Sequence, residues 1–333
     1  MSQTEMTFCG IDVSAATLAV AVQHHNRPVA EREFANNARG HQSLILWLGK
    51  FGPSRVALES TGIYSMDLAL ALDAASGIEV EVLNPKTAHS FSGTLRRSKT
   101  DRADACALCE YCRRMPFTPW RAPNRNQLQL RSLCRYIASL TGELQRGKNR
   151  LHAARSSSGT PGCVIKDLNR SLATLQRRIL ALRREAMKLV RADRALLGRF
   201  ELLISIPGIA TISALQLLGE LMLLSSDMPV RQWVAHSGLD PAHQTSGTSV
   251  HRASRISRAG NHHLRRALYM PALVAIRHDV HIKAFYTSLV ARHKAKMQAI
   301  IAVARKLLHA VYGILKTNTP YQGQKLFPAI LNA

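Results

Sequence analysis

Residues 7–13 have the sequence TFCGIDV, an apolar run that carries the carboxylate of Asp12 near its end. Such a run, rich in β-formers, predicts a buried strand. Residues 17–22 are again rich in β-formers and predict a second strand. After the turn-forming residues 26–28, alternation of apolar and polar side chains over residues 29–34 predicts a third. The chain therefore begins with three strands joined by short turns.

Helices and strands alternate after this point. Apolar residues at helical spacing predict a helix within residues 38–51, which a Gly-Pro pair ends. Residues 55–59 predict a fourth strand, which is followed by a helix and by a fifth strand over residues 77–83. A further helix begins near Thr100, which can cap it, and runs to about Arg114. This element order is that of the ribonuclease H-like fold, a RuvC-type α/β arrangement.

The rest of the chain is predicted to be mainly helical. Residues 128–155 form a basic helix, and a flexible break rich in Ser and Gly follows. Apolar residues then recur at threes and fours over residues 164–190, with arginines on the opposite face, as in a helical hairpin or a coiled-coil interface. We expect three regions: an α/β domain over residues 1–122, a basic helical hairpin or coiled coil over residues 123–198, and a mainly helical domain over residues 199–333.

The composition points to a polyanionic partner. The 333 residues include 45 Lys and Arg against 21 Asp and Glu, which gives a formal net charge of +24. Such a field attracts nucleic acid, and neutralised phosphates release counterions. Because 46% of the residues are hydrophobic, the chain can bury a core and is not a disordered basic tail. An anionic membrane surface is the weaker alternative, since no lipidation motif is present.

The sequence also indicates a cytoplasmic protein. The N-terminus lacks the basic and apolar regions of a signal peptide. Residues 202–219 are uncharged, but a Pro-Gly pair interrupts them, so we expect two buried helices rather than a membrane span. Six cysteines fit a reducing compartment. The spacing of Cys106, Cys109 and Cys112 fits helix packing better than a zinc site, because no fourth ligand is near.

Acidic residues are scarce, and two lie together in residues 99–105, KTDRADA. Asp101 and Asp104 are three apart and share one helix face. The sequence just before them is basic and contributes Arg96, Arg97 and Lys99. Two interpretations stay open: simple charge balance, which the spacing alone favours, or a carboxylate pair that holds a divalent metal beside cations that hold phosphates.

Asp12 and Glu59 extend this pair, because each ends a predicted strand and the two strands are neighbours in the predicted fold. The helix that carries Asp101 and Asp104 packs across the same ends, so all four carboxylates can converge. A buried cluster of like charges needs cations. Two Mg²⁺ ions, with Mn²⁺ as an alternative, would satisfy the cluster and clamp a scissile phosphate.

The C-terminal half offers phosphate-binding and nucleophilic residues. The turn at residues 206–209, IPGI, is similar to a helix-hairpin-helix motif in which amides near Gly208 face a phosphate, and a plain helix turn is the alternative. The hydroxyl-rich loop at residues 244–250 contains Ser246. It is followed by basic residues that can grip phosphate: Arg252, Arg255, Arg258, Arg265 and Arg266.

Two interpretations of the hydroxyl-rich loop remain at this level. A serine among arginines suits covalent attack on a phosphodiester, whereas a polar loop whose arginines merely bind backbone phosphate is the simpler explanation. Thr248 and Ser249 are lesser candidates for the nucleophile. His262 and His263 lack a partner cluster that would make them metal ligands, and Asn261 is expected to cap a helix.

Taken together, the motifs resemble the DEDD-type transposases of the insertion-sequence one-ten family, whose first domain is similar to the RuvC Holliday-junction resolvase. The resemblance covers nearly the whole chain, and the arginine-rich middle is its least diagnostic part. It is carried by GIDVS at 10–14, ESTGIY at 59–64, NP at 84–85, KTDRADA at 99–105, IPGI at 206–209, SGTS at 246–249 and LRRALYM at 264–270.

The resemblance implies that Asp12, Glu59, Asp101 and Asp104 bind metal and that Ser246 is the catalytic serine. It further implies DNA recombination through a phosphoserine link, donor and target DNA guided by a noncoding bridge RNA, and sites combined across a homodimer or homotetramer. Two alternatives have different activities. One is a RuvC-like junction nuclease that uses the carboxylates alone, and the other is a non-catalytic nucleic-acid-binding protein.

Overall fold

The computed structural model describes residues 6–24, 29–95, 100–225, 227–246 and 250–326, and over residues 243–246 and 250–254 it describes the backbone alone. The chain divides into two compact units, Met1–Ala122 and Pro123–Ala333. The first unit is a mixed α/β structure, and the second is mostly helical.

A five-stranded sheet forms the centre of the first unit, in the order β3-β2-β1-β4-β5. β1 pairs with β2 and β2 with β3 in antiparallel fashion, whereas β1–β4 and β4–β5 are parallel. This topology is compatible with a RuvC-like fold, and each strand lies within one residue of its predicted bounds. The strands are β1 Thr7–Val13, β2 Thr17–Gln23, β3 Ala30–Ala35, β4 Ser54–Glu59 and β5 Ile78–Leu83.

Helices cover both faces of this sheet. They are α1 Ala38–Leu48, α2 Met66–Asp73, α3 Pro85–Leu95 and α4 Asp101–Arg114, with a 3-10 turn at Gly49–Phe51. Alternate residues of β1, among them Cys9 and Ile11, pack with α1 and α2. The opposite face packs against α3 and α4. Successive side chains of a strand point to opposite faces, so Asp12 faces the same side as Gly10 and α4.

Helix α3 was not predicted. The sequence predicts no helix between the fifth strand and Thr100, yet proline is favourable at the first helical position because its missing N–H would be unpaired there anyway. The side chain of Asn84 accepts a hydrogen bond from the Lys86 amide at 2.9 Å, which satisfies one of the free amides of the first turn.

The second unit begins with two long helices, α5 Arg125–Ser156 and α6 Gly162–Ala192, which pack side by side after a short turn. Its remaining helices are α7 Arg194–Ile204, α8 Thr211–Leu221, α9 Val230–Ser237, α10 His262–His278, α11 Val280–Ala291, α12 Lys296–Thr317 and α13 Gly323–Leu326. Two strands, β6 Pro241–Ser246 and β7 Val250–Ile256, form an antiparallel hairpin between α9 and α10.

This hairpin corrects the prediction of a hydroxyl-rich loop over residues 244–250 within a mainly helical domain. Residues 241–246 and 250–256 instead pair as strands. The sequence alternates too few apolar residues to reveal a strand by pattern, but Thr, Val and Ile in this segment have high β propensity.

Residues 202–219 form parts of two helices, α7 and α8, around a turn, as predicted. Among the described residues, α12 is the one helix that is long and apolar enough to cross a membrane. However, Val303, Leu307 and Val311 of α12 are 0% exposed and belong to the core that α12 shares with α10. We therefore assign α12 as a core helix.

Candidate active site

Asp12 and Glu59 reach the same edge of the sheet. Ile11 of β1 pairs with Leu58 of β4 in parallel register, so the residues that follow each of them come to the carboxyl edge side by side. Ligand sites of parallel sheets lie at this edge because the strands end there together. The structure thus places the two carboxylates in one region, at the ends of neighbouring strands, as the sequence predicts.

The first turn of α4 carries the other two carboxylates. Thr100 caps the helix, because its hydroxyl accepts a hydrogen bond from the Ala103 amide at 3.2 Å. Asp101 and Asp104 follow in the first turn, where the partial positive charge of the helix N-terminus favours them. The cap at Thr100 was predicted from the sequence.

Gly10 sets how closely α4 approaches the sheet. A Cβ atom at this position would lie 2.1 Å from the Cys109 amide nitrogen and 2.2 Å from the Ala105 carbonyl oxygen. Glycine therefore lets the backbone of α4 rest directly on β1. The thiols of Cys109 and Cys112 donate to the carbonyl oxygens of Phe8 and Arg55 at 3.3 and 3.4 Å, so these cysteines pack against the sheet.

The four carboxylates interact electrostatically. Partial burial of Asp12, together with the negative charges of Asp101, Asp104 and Glu59, raises the pKa of its carboxyl to about 6. A hydrogen bond with the Val13 backbone acts in the opposite direction and is the weaker effect. Folding therefore places Asp12 among like charges, which carries a cost that a bound cation would remove.

The donor set fits a hard divalent cation, because carboxylate oxygens are the ligands that Mg²⁺ and Mn²⁺ prefer. In the part of the chain that the structure describes, no three His, Cys, Asp or Glu side chains form a ready-made metal site. The raised pKa of Asp12 is compatible with this result, since charge repulsion acts over several ångströms whereas a metal–oxygen bond is about 2 Å long. Among the described residues, the carboxylates are near enough to Asp12 to affect its pKa, but no three of them form a metal site.

The cationic residues predicted beside the carboxylates, Arg96, Arg97 and Lys99, lie outside the described residues. The next basic residue was not among those predicted. Arg102 of α4 is exposed and forms an ion pair with Glu31 of β3 at 3.3 Å.

Ser246 is the last residue of β6, and its backbone pairs with Val250 of β7. The side chains of Ser246 and Arg252 lie outside the described part of the structure, as do Thr248 and Ser249 entirely. Ser246 belongs to the second unit, whereas the four carboxylates belong to the first.

The described arginines after the hairpin differ in their surroundings. Arg255, Arg258 and Arg266 are exposed. Arg265 instead donates to the carbonyl oxygens of Ser237 and Ala259 at 2.7 and 3.2 Å. Arg265 thus has a structural role at the base of the hairpin, and its contact with nucleic acid stays a prediction.

Gly208 lies in the turn between α7 and α8 with a φ of +91°, a conformation that favours glycine. A Cβ atom there would lie 2.4 Å from the Pro271 carbonyl oxygen of α10. The turn therefore packs closely on α10. This packing explains a glycine at position 208, in addition to the predicted phosphate-binding role.

Two family models match the chain, one over the first unit and helix α5, and the other within the second unit. A model of DEDD transposases of the IS110 type, described as "Transposase", matches residues 9–155. A model described as "Transposase IS116/IS110/IS902 family" matches residues 200–287. The chain belongs to the IS110 family of transposases. It is accordingly an enzyme that acts on DNA, a transposase or recombinase, and membership confirms the resemblance drawn from the sequence motifs.

Relatives of this IS110 transposase support the same conclusion. The chain is 28% identical over 322 residues to the pilin gene-inverting protein of Moraxella bovis, covering 95% of this chain and 97% of the relative. The pilin gene-inverting protein of Moraxella lacunata is similar to the same extent. A putative transposase of Sinorhizobium fredii is 27% identical over 348 aligned positions, covering 94% of this chain and 85% of that protein.

The structure also reveals a cavity that the sequence did not predict. It measures about 660 Å³ and is lined by the segments that follow β1, β3 and β4, including Asn36, His41 and Tyr64. The Asn36 amide donates to the carbonyl oxygens of Ser14 and Tyr64 at 2.7 and 3.1 Å, so it ties together the loops that follow Asp12 and Glu59. Its oxygen contacts the His41 ring nitrogen at 2.8 Å. An asparagine gives no sequence signal for such a role.

Proposed function

We propose that this IS110 transposase cuts and rejoins DNA through a covalent phosphoserine link at Ser246, with a divalent cation at Asp12, Glu59, Asp101 and Asp104. The observation that carries the proposal is the raised pKa of Asp12, about 6, to which the charges of the other three carboxylates contribute. Partial burial of Asp12 beside three other carboxylates at the carboxyl edge of a sheet costs stability, and a cation-binding role accounts for that cost.

The carboxylates would hold Mg²⁺, with Mn²⁺ as the alternative. When bound, the metal supplies Lewis-acid stabilisation of charge on the phosphate and on the departing sugar oxygen. Asp12 and Glu59 provide ligands from adjacent strand ends, whereas Asp101 and Asp104 provide them from a capped helix turn. Gly10 supports this arrangement, since it allows α4 to rest on β1.

Ser246 would supply the nucleophile. Its hydroxyl oxygen attacks phosphorus, its proton passes to solvent or to a neighbouring base, and the bond from phosphorus to a sugar oxygen breaks. The sugar hydroxyl is released, and the phosphoserine diester conserves the bond for rejoining to another strand. Arg252, Arg255, Arg258 and Arg266 would bind the phosphates around the attacked bond. Arg265 would hold the hairpin base.

The remaining features of the proposal concern partners. A noncoding bridge RNA would pair with donor and target DNA, and the net charge of +24 suits an assembly that holds an RNA and two duplexes. Residues 1–122 would supply the carboxylates, residues 123–198 a basic helical hairpin or coiled coil, and residues 199–333 the serine and a helix-hairpin-helix contact at Gly208. Composite sites would then form in a homodimer or homotetramer in the bacterial cytoplasm, at the nucleoid.

A covalent trap tests the proposal. Purified protein is incubated with Mg²⁺ and a plasmid that carries its own gene with both natural flanks, then denatured, and protein-linked DNA is measured. We expect an adduct with the native protein and none with S246A, and a loss of at least about 10³-fold in recombination with D12N.

The same assay distinguishes the alternatives. Cleavage by S246A without any adduct would support a RuvC-like nuclease that uses the carboxylates alone. A non-catalytic nucleic-acid-binding protein would give neither cleavage nor an adduct, and its function would stay intact in D12N and D104N and would not require Mg²⁺.

A further inference from the structure

A buried ionic cluster lies near the base of the β6–β7 hairpin. Its centre is Glu220 of α8, whose side chain is 3% exposed. Arg135 of α5 donates to both carboxylate oxygens, from Nε at 2.7 Å and from Nη2 at 2.9 Å. Arg131, one helical turn earlier, lies 3.8 Å away. Burial alone would raise the pKa of Glu220, but the hydrogen bonds and charges of this cluster hold it below its usual value.

Asn261 connects this cluster to two other elements. Its Nδ2 donates to Glu220 Oε2 at 2.6 Å. Its Oδ1 accepts from the His263 and Leu264 amides at 2.9 and 3.3 Å, which caps α10. Its backbone amide donates to the His236 carbonyl oxygen at 2.6 Å. These four hydrogen bonds involve three different polar groups of Asn261, so together they fix its position.

Short contacts join the two ends of the β6–β7 hairpin. The Ser257 amide donates to the Asp240 carbonyl oxygen at 2.9 Å, and the Ser257 hydroxyl donates to the Asp240 carboxylate at 2.5 Å. Gly260 has a φ of +76°, and a Cβ atom there would lie 2.2 Å from the His236 carbonyl oxygen. The chain segments before β6 and after β7 are therefore held against each other next to Asn261.

We infer that Glu220 and Asn261 are positioning residues that aim the serine hairpin, acting through the capped start of α10 and the His236 carbonyl. The inference rests on the proposed function, because it takes Ser246 as the nucleophile. A two-stranded hairpin is marginally stable by itself, so its direction is set at its base. From Pro241 to Ser246 the strand spans about 17 Å. A tilt of a few degrees at the base therefore moves the tip by about 1 Å, and such a displacement costs about 10²-fold in rate.

A pair of reciprocal substitutions tests this role. In E220Q an NH2 group replaces one carboxylate oxygen and opposes a donor whichever way the amide is turned, either Asn261 Nδ2 with Arg135 Nη2 or Arg135 Nε. In N261D two carboxylates face each other. In the double variant E220Q/N261D, the amide introduced at position 220 can donate to the carboxylate introduced at position 261. That carboxylate still caps α10, and the cluster keeps one negative charge. In this double variant, only the hydrogen bonds between position 220 and Arg135 remain weakened.

We expect E220Q and N261D each to lower the rate of plasmid recombination about 10²-fold, and the double variant to recover at least about tenfold of that loss. The affinity for duplex DNA should stay within about twofold, since the cluster is buried and touches no DNA. Backbone amides of Asp240, Ser257 and Arg258 should exchange hydrogen faster in the single variants and regain protection in the double variant.

D193A is the matched control. Asp193 caps α7 by accepting from the Ala195 and Leu196 amides at 3.0 and 3.1 Å, in the same unit but away from the hairpin. D193A should lower the thermal stability, because α7 loses its cap. Its rate of recombination at the assay temperature should stay within about twofold of the native rate. An equal loss of recombination in D193A, or a double variant no better than the singles, would overturn the inference.

The two proposals can fail separately. If S246A recombines normally, Ser246 is not the nucleophile and the proposed function fails. Hydrogen exchange at the hairpin base in E220Q then still decides whether the cluster orients this hairpin. Unchanged exchange in both single variants would refute the positioning role, whatever the outcome with S246A.

Discussion

Asp12 is a residue whose charge opposes folding. Its carboxyl has a pKa of about 6 in the folded protein, against an ordinary value of 3.8. An acid whose pKa is raised by folding binds its proton more tightly in the folded state, so the folded state loses relative stability as the pH rises from about 4 to about 6 and beyond. The penalty is fully present at neutral pH and is absent below the unfolded pKa.

Neutralising Asp12 should therefore stabilise the metal-free protein. We expect D12N to raise the melting temperature at pH 7.5 by a few degrees, in line with about 1 kcal/mol after allowance for the partial exposure of the side chain. The gain should shrink as the pH falls through 6 and vanish near 4. Thermal unfolding in a chelating buffer across this pH range measures it.

Glu33 of β3 provides the control, because it is an exposed acid of the same sheet. E33Q should leave the melting temperature unchanged within about a degree at both ends of the pH range. Added Mg²⁺ should stabilise the native protein and not D12N. A destabilised D12N in chelator would contradict the repulsion among the four carboxylates.

At the scale of elements, the contact between β1 and α4 brings the two carboxylate pairs together. It depends on Gly10, where the helix backbone occupies the space that a side chain would need. Side chains elsewhere could repack around an added methyl group, but backbone atoms of a helix cannot move independently. Displacing α4 would also displace Asp101 and Asp104 from Asp12.

G10A should lower the free energy of unfolding by about 3 kcal/mol, because α4 must move or the first strand must distort. Chemical denaturation of the purified protein measures this change. Gly93 of α3 has open space around its Cβ position, so G93A should be neutral or stabilise by up to about 1 kcal/mol. Equal stability of G10A and G93A would show that the β1–α4 contact is looser than the structure describes.

The elements that the sequence predicts well are those with a local pattern of apolar residues. Each strand of the sheet was placed within one residue, because apolar runs and alternation report burial directly. Helix α3 and the β6–β7 hairpin were missed, because Asn84-Pro85 fits a stop as well as a start, and the hairpin has little apolar alternation. The Glu220 cluster has no local signal, since Arg135 and Glu220 are 85 residues apart in sequence.

At the scale of the whole molecule, the charge of +24 is not confined to one segment. Such a field binds any nucleic acid with an affinity that falls steeply with salt, and by itself it carries no sequence information. A recombinase that selects particular sites needs a second source of specificity, which the proposed bridge RNA would supply by base pairing.

Protein purified from a cell that carries the whole element should contain a discrete noncoding RNA encoded beside the gene. Ribonuclease treatment should abolish recombination, whereas binding to random duplex should persist and weaken by at least about 10²-fold between 50 and 200 mM salt. Gel shifts and RNA sequencing measure both effects. Recombination that survives complete digestion of the RNA would rule out RNA guidance.

The turn between α5 and α6 has a practical consequence for labelling. All six cysteines are described, and Cys163, beside this turn, is the exposed one. Burial raises the pKa of Cys109, Cys112 and Cys134 to about 12, so these thiols react slowly. Cys106 is half-buried, and its thiol donates to Glu31 at 3.4 Å. A maleimide dye should therefore attach first to Cys163, which gives a fluorescence ruler for the distance between subunits of the proposed recombination complex.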